Sequence, residues 1–200
     1  VVKKIVICGL QGSGKTFLTK YYFLKKTKYH LVIDPNDEYK GFIRYVPKYV
    51  GDFEKLKDEL KLVLKKLVFP NVNWIEKQKK KKKALKMVVI DELDLFAPSR
   101  KQLGQEIRDL YVRCRHMDLD YLIGITRRIT DVHPYIHEVS ENLIIFKQTG
   151  LNDMRRLNEI AGKGTSELMR KEIDFNKHNF LFIDIDRNVK VVNTWAELNI

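Results

Sequence analysis

The chain of 200 residues is poor in cysteine, and its two, Cys8 and Cys114, have neither pairing nor metal-ligand spacing. That excludes a disulfide framework and a zinc or iron site of the usual kind, and makes a reducing interior the simpler setting. Long hydrophobic runs are lacking as well. The longest are strand-length, such as Leu85 to Ile90 with Lys86 interrupting it, against the ~20 apolar residues that a membrane span needs. No segment reads as a secretory leader, so a cytoplasmic protein is expected. Internal repeats are absent, as is any motif for reading bases. Burial alone must therefore hold the fold. A chain of this length with 44% hydrophobic residues can bury about 70% of its unfolded surface in one domain, residues 1–200.

What the chain has in excess is positive charge: 38 Lys and Arg against 26 Asp and Glu, a net +12. Such a surface attracts polyanions, and nucleic acid is the first candidate. The plainer alternative is a solvated face, since lysine- and glutamate-rich composition also marks proteins from hot environments.

The most specific segment is Lys4 to Thr16, in which apolar Ile5-Val6-Ile7 leads into Cys8-Gly9-Leu10-Gln11-Gly12-Ser13-Gly14-Lys15-Thr16. Gly9 and Gly14 bracket four residues, so the backbone can wrap a phosphate and aim successive N–H groups at it. Lys15 then faces the β and γ phosphates, the Thr16 hydroxyl can ligate Mg²⁺, and the following helix adds its positive end. Gly9, Gln11, Gly12, Ser13, Gly14, Lys15 and Thr16 are thus expected to bind a nucleoside triphosphate, ATP foremost.

Strands alternate with helices along the rest, which predicts an α/β fold with a mainly parallel central sheet, helices on both faces and a C-terminal β-hairpin. Leu31-Val32-Ile33 is the second strand. Phe53 to Val68 is an amphipathic helix with Phe53, Leu56, Leu60, Val63, Leu64 and Leu67 on one stripe, ended by Pro70. Leu85 to Ile90 is a strand, Arg100 to Met117 a helix, and Tyr121 to Thr126 and Asn142 to Lys147 are strands. Asn152 to Ala161 is a helix closed by Gly162. Phe180 to Ile185 and Val189 to Val192 form the hairpin across Asp186-Arg187-Asn188.

A second chemical motif is Met87-Val88-Val89-Ile90-Asp91-Glu92, a buried strand that delivers two carboxylates to its C-terminal end, where ligands of parallel sheets sit. Asp91 would hold Mg²⁺ and Glu92 would polarise the attacking water as general base. Many small-molecule kinases need only the first carboxylate, so Glu92 favours hydrolysis. Asp94 is expected to face solvent or cap a helix.

Together these segments resemble the HerA–FtsK superfamily of P-loop ATPases. Arg115-His116, then Leu122 to Thr126 followed by Arg127-Arg128-Ile129-Thr130, match the region after the acidic pair in that family. Ile33 to Tyr39, Asn142 to Lys147, and Asn152-Asp153 with Arg156-Leu157 agree with it, so the likeness spans residues 1–195. The small size and closing hairpin are most similar to genome-packaging ATPases of membrane-containing and archaeal viruses. The resemblance implies ATP hydrolysis with Mg²⁺, a homo-oligomeric ring of about five or six subunits, and translocation of double-stranded DNA through backbone contacts. It also implies capsid or portal partners in a host cytoplasm. Where the family carries a glutamine that senses the γ-phosphate, this chain has Arg127, and Ile129 stands for the family's proline. Either Arg127 touches the γ-phosphate as a cation, or it points away and Thr126 senses the phosphate; Arg128 matches the family arginine. A ring motor also needs an arginine from the neighbouring subunit, for which Arg115 is the first candidate and Arg113 the second. The run Lys77 to Lys83 reads as an exposed loop that could line a DNA channel. Two other readings stay open: a small P-loop kinase using Arg155, Arg156 and Arg170 as a lid, and a nucleotide-gated binding protein.

Overall fold

The computed structural model describes residues 2–69, 85–198 and 200. Pro70 and the Lys77 to Lys83 run lie outside the described residues. The strands, in chain order, are β1 (Lys3–Cys8), β2 (His30–Ile33), β3 (Arg44–Tyr45), β4 (Met87–Ile90), β5 (Tyr121–Thr126), β6 (Asn142–Ile145), β7 (Phe180–Ile183) and β8 (Val189–Val192). They form one sheet in the order β3-β2-β4-β5-β1-β6-β7-β8. All pairings from β3 to β6 are parallel, while β7 and β8 add the expected antiparallel hairpin at one edge.

The central strands read as near-continuous runs of Val, Ile and Leu because both of their faces are covered. Alternate residues divide between two cores. Val6, Leu31, Val88, Leu122 and Leu143 pack on one face with α2 (Phe53–Val63), α3 (Gln105–Arg113), α4 (Pro134–Val139), α5 (Leu151–Ala161) and α6 (Thr165–Lys171). Ile5, Ile7, Val32, Val89 and Ile123 pack on the other with Leu18, Phe23 and Leu24 of the α1 region, whose α-helical part is Lys15–Leu18. Each of these fully buried side chains contributes about 1.5–3 kcal/mol, so the two layers supply the hold that disulfides do not.

Three details depart from the periodicity. The helix after Asp52 widens into a π turn over Leu64–Val68; the wider turn rotates Leu67 outward, to 49% exposure, and buries Val68 instead. α3 begins at Gln105, not Arg100, because Gly104 is extended at its N-terminus. Helices α4 and α6 and the two-residue β3 have no counterpart in the sequence pattern as read above.

Candidate functional site

The sheet register sets the site. Cys8 lies opposite Thr126, and Ile90 opposite both Ile33 and Gly124. The segments after β1, β2, β4 and β5 therefore open on one edge, the C-terminal edge of the parallel strands.

After β1 the loop turns sharply. A Cβ on Gly9 would stand 2.4 Å from Ser13 Oγ and 2.7 Å from Phe146 Cβ, so no other residue fits there. Gly14, at φ 106°, makes the left-handed step into α1. Ser13 is buried, and its hydroxyl has no protein partner. Lys15 folds back, its Nζ donating to the carbonyls of Gly9 at 2.6 Å and Leu10 at 3.0 Å. Burial lowers its pKa, against the pull of Asp91 and Glu92. Gln11 stands exposed at the tip.

The facing wall is acidic. Asp91 is 5% exposed, and burial, then the neighbouring charges of Glu92, Glu38 and Asp34, raise its pKa to about 7. Glu38 comes from the turn after β2 and accepts the Thr16 hydroxyl at 3.2 Å. That turn is pinned by Asp34, fully buried, whose carboxylate accepts the backbone N–H groups of Glu38 and Tyr39 and pairs with Arg44. Glu92 has φ 48°, the left-handed region that non-glycine residues avoid. This turn points its carboxylate at Asn36 and Arg127.

The sequence-predicted residues separate into groups. Gly9 to Thr16, Asp91, Glu92 and Arg127 come together at this edge. Thr126 is buried and donates its hydroxyl to Asp94 at 3.0 Å. Asp94 does not cap a helix and is half-buried: it sits in the single helical turn Leu93–Leu95 against the end of β5, and burial raises its pKa. Arg128 is bound to Asp153 in the first turn of α5, with Nε and Nη2 both at 3.0 Å from Oδ2. Arg113 and Arg115 end the helix that precedes β5, whose first residue pairs with Lys3. They stand at the opposite edge of the sheet, out of reach of their own phosphate loop. Asn36, Glu38 and Asp94 are the site residues that sequence reasoning missed. Their signal was position, since each follows a parallel strand on the ligand edge.

Beside the loop lies a cavity of about 610 Å³, bounded by Gly12, Lys15, Phe17, Phe146, His178 and Trp195 among others. Its aromatic walls suit a flat ring system. His178 Nδ1 lies 3.1 Å from the Ser13 carbonyl, which joins this cavity to the phosphate loop. Among the described residues, no group of three or more His, Cys, Asp and Glu side chains is set to hold a metal ion, and no helix is long and apolar enough to cross a membrane.

No protein-family profile matches the chain, and no curated protein sequence does. Solved structures do. The genome packaging NTPase B204 from Sulfolobus turreted icosahedral virus 2, in complex with AMPPCP, is 22% identical, covers 95% of this chain and 96% of its own, and superposes with a TM-score of 0.69. Its sulfate complex gives a TM-score of 0.71 at the same identity, covering 95% of each chain. The pCW3 conjugation coupling protein TcpA, in its monomer form with ATPγS, is 17% identical at a TM-score of 0.62, covering 96% of this chain and 59% of its own. At these identities the likeness is one of fold: the chain has the α/β fold of P-loop ATPases, with a mainly parallel sheet layered between helices and a C-terminal hairpin.

Proposed function

We propose that the chain is a Mg²⁺-dependent ATP hydrolase of the HerA–FtsK kind, which moves double-stranded DNA as a ring and packages a viral genome. The observation that supports this most is the placement of the phosphate loop and the acidic pair on one sheet edge with β5 alone between β1 and β4. Two strand spacings, about 10 Å, leave room for a phosphate chain and a cation between Lys15 and Glu92.

The residues present fit both groups. The Gly9 cradle excludes a side chain, the Ser13 hydroxyl is buried without a protein partner, the Thr16 hydroxyl donates to Glu38, and Asp91 lies in the field of Glu92, Glu38 and Asp34. Thr16 and Asp91 would hold Mg²⁺. Such ions keep water and phosphate oxygens as their remaining ligands, so no larger protein cage is needed. When bound, Mg²⁺ supplies charge neutralisation along the phosphates. The chain's own part is to place loop N–H groups and the Lys15 ammonium around the terminal phosphate, and to take the proton of the attacking water on Glu92. Phe17, Trp195 and His178 would hold the base and sugar in the adjoining cavity. A neighbouring copy would supply Arg115, or Arg113, to the transition-state charge, an effect of about 10³–10⁵ in rate.

B204 is described as a DNA-packaging ATPase and TcpA as a conjugation coupling protein. The net charge of +12 suits a DNA backbone. Capsid or portal proteins in a host cytoplasm complete this reading. A kinase is favoured less, because Arg155, Arg156 and Arg170 line no part of the cavity, and Arg156 is paired with Glu159.

The deciding experiment is steady-state ATP hydrolysis with and without long double-stranded DNA, at low and moderate salt, beside Glu92→Gln. Stimulation by DNA that fades with salt and vanishes in the variant is expected. Hydrolysis indifferent to DNA at both salts overturns the translocase reading.

A further inference from the structure

His178 stands at φ 52°, in the left-handed region that non-glycine residues enter at a cost, and the turn before it is knitted to hold it there. Asn179 is buried. Its Oδ1 accepts the N–H of Asp174 and its Nδ2 donates to the carbonyl of Glu172, both at 2.8 Å, while Asp174 Oδ1 accepts the N–H of Asn176 at 2.9 Å. Lys147, two residues past the end of β6, donates its Nζ to the carbonyls of Met169, Arg170 and Ile173. Phe146 before it donates its N–H to the carbonyl of Cys8 at 2.8 Å, so the approach to this turn is tied to the strand that carries the phosphate loop.

The contact with the loop decides which ring nitrogen carries the proton. A carbonyl oxygen only accepts, so Nδ1, 3.1 Å from the Ser13 carbonyl, is the protonated nitrogen. In the neutral ring Nε2 is then an acceptor. Among the described residues no protein donor reaches it. The Nδ1 edge is turned to Ser13, 3.5 Å from where a Cβ on Gly14 would stand, and this leaves the Nε2 edge to the cavity that His178 lines.

The place of that acceptor along a nucleotide follows from the same contacts. Phosphates belong to the loop and the start of α1, and a flat base suits the aromatic walls of Phe17, Phe146, Phe180 and Trp195. His178 stands where loop and cavity meet. The part of a nucleotide that joins phosphate to base is the sugar, whose hydroxyls are donors.

We propose that His178 reads the sugar: its Nε2 accepts a ribose hydroxyl, so that the site takes ribonucleotides in preference to deoxyribonucleotides. This rests on the nucleotide hydrolase reading above and names the substrate class of that site. A site that bonds a hydroxyl rejects the analogue lacking it most strongly where the unpaired group is dry. His178 is exposed, so water replaces a missing hydroxyl and the preference is modest. His178 is a specificity residue, with no part in the chemical step.

The test is equilibrium binding of ADP, 2′-deoxy-ADP and 3′-deoxy-ADP, each with Mg²⁺ at pH 8, to the unaltered chain and to His178→Phe, with ¹⁵N spectra of the unaltered chain alongside. The unaltered chain is expected to bind ADP about two- to twelvefold more tightly than one of the deoxy forms. His178→Phe keeps an aromatic ring and lacks the acceptor, so it should bind all three alike, even if loss of the Ser13 contact weakens them together. The His178 Nε2 resonance should be that of an unprotonated nitrogen, and should move when ADP is added but not when inorganic tripolyphosphate is. Equal affinity of the unaltered chain for the three nucleotides, a preference that survives in His178→Phe, or a proton on Nε2 overturns the sugar contact and leaves the hydrolase reading standing. Failure of the unaltered chain to bind either ADP or tripolyphosphate overturns both.

Discussion

The phosphate loop is made of backbone, whereas the wall facing it is made of side chains. Residues 9–16 come from one continuous segment, with glycines where a Cβ or an ordinary φ would spoil the turn. The acidic wall gathers Asp34, Asn36 and Glu38 from the turn after β2, Asp91 and Glu92 from the turn after β4, and Arg127 from the residue after β5. A backbone cradle is set by local conformation and changes little with pH. A side-chain wall is a balance of charges in a partly dry place, and it is where state-dependent behaviour should appear.

Glu92→Gln should separate the two regions most widely. The amide keeps the shape of the wall and cannot take a proton, so hydrolysis should fall by about 10²–10⁴, while the intact loop keeps its affinity for ATP. Loss of nucleotide binding in this variant would show that the wall also builds the cradle.

Asp91→Asn probes the charge balance of the wall. The folded pKa of about 7, against 3.8 for an ordinary aspartate, means that the folded chain binds more protons than the unfolded one between pH 4 and 7. This contribution to stability is therefore greatest in acid, declines as pH rises through that window, and stays low above it. In metal-free buffer at pH 8 the Asp91→Asn variant should be more stable than the native chain, by at most about 4 kcal/mol, with the gap closing toward pH 4. Added Mg²⁺ should stabilise the native chain at pH 8 and leave the variant unmoved. A gap independent of pH, in melts of the two chains, would remove the buried-charge account.

Gly9→Ala breaks the other region. Its methyl would meet Ser13 Oγ and Phe146 Cβ at sub-contact distances, costing about 1–3 kcal/mol and deforming the loop, so both stability and nucleotide affinity should fall. Gly51→Ala is the matched control, since a Cβ there meets nothing within 4 Å. Equal melting temperatures for the two variants would contradict the close approach.

The same contrast explains what could be read from the chain. The loop and the pair Asp91-Glu92 were legible because each is a local motif on a strand of Val, Ile and Leu, and the long strands carry their burial in their composition. Contacts between distant segments were not. Nothing near Asn36 announces that it meets Glu92, and nothing in Arg127-Arg128 says that one arginine turns to Glu92 and the next to Asp153. Short elements failed for a related reason: the two residues of β3 are a strand because β2 lies beside them, and the π turn at Leu64–Val68 reverses the fate of Leu67 against its helical period. Pro134 at the first turn of α4, after His133, was a signal that periodicity passes over.

The smallest expected effect lies outside both regions. Trp195 lines the cavity beside the loop and stays 45% exposed, with its ring 6.2 Å from that of Tyr22. If this cavity takes the base, Trp195→Ala removes one aromatic wall worth about 0.5–1.5 kcal/mol, so ATP affinity should fall about two- to twelvefold. Inorganic tripolyphosphate makes no use of that wall, and its affinity should not change. The ratio of the two affinities thus isolates the cavity from the loop, because any general loosening of the fold moves both ligands together. An unchanged ratio would assign the base to another surface and leave the loop and its acidic wall as the whole of the nucleotide site.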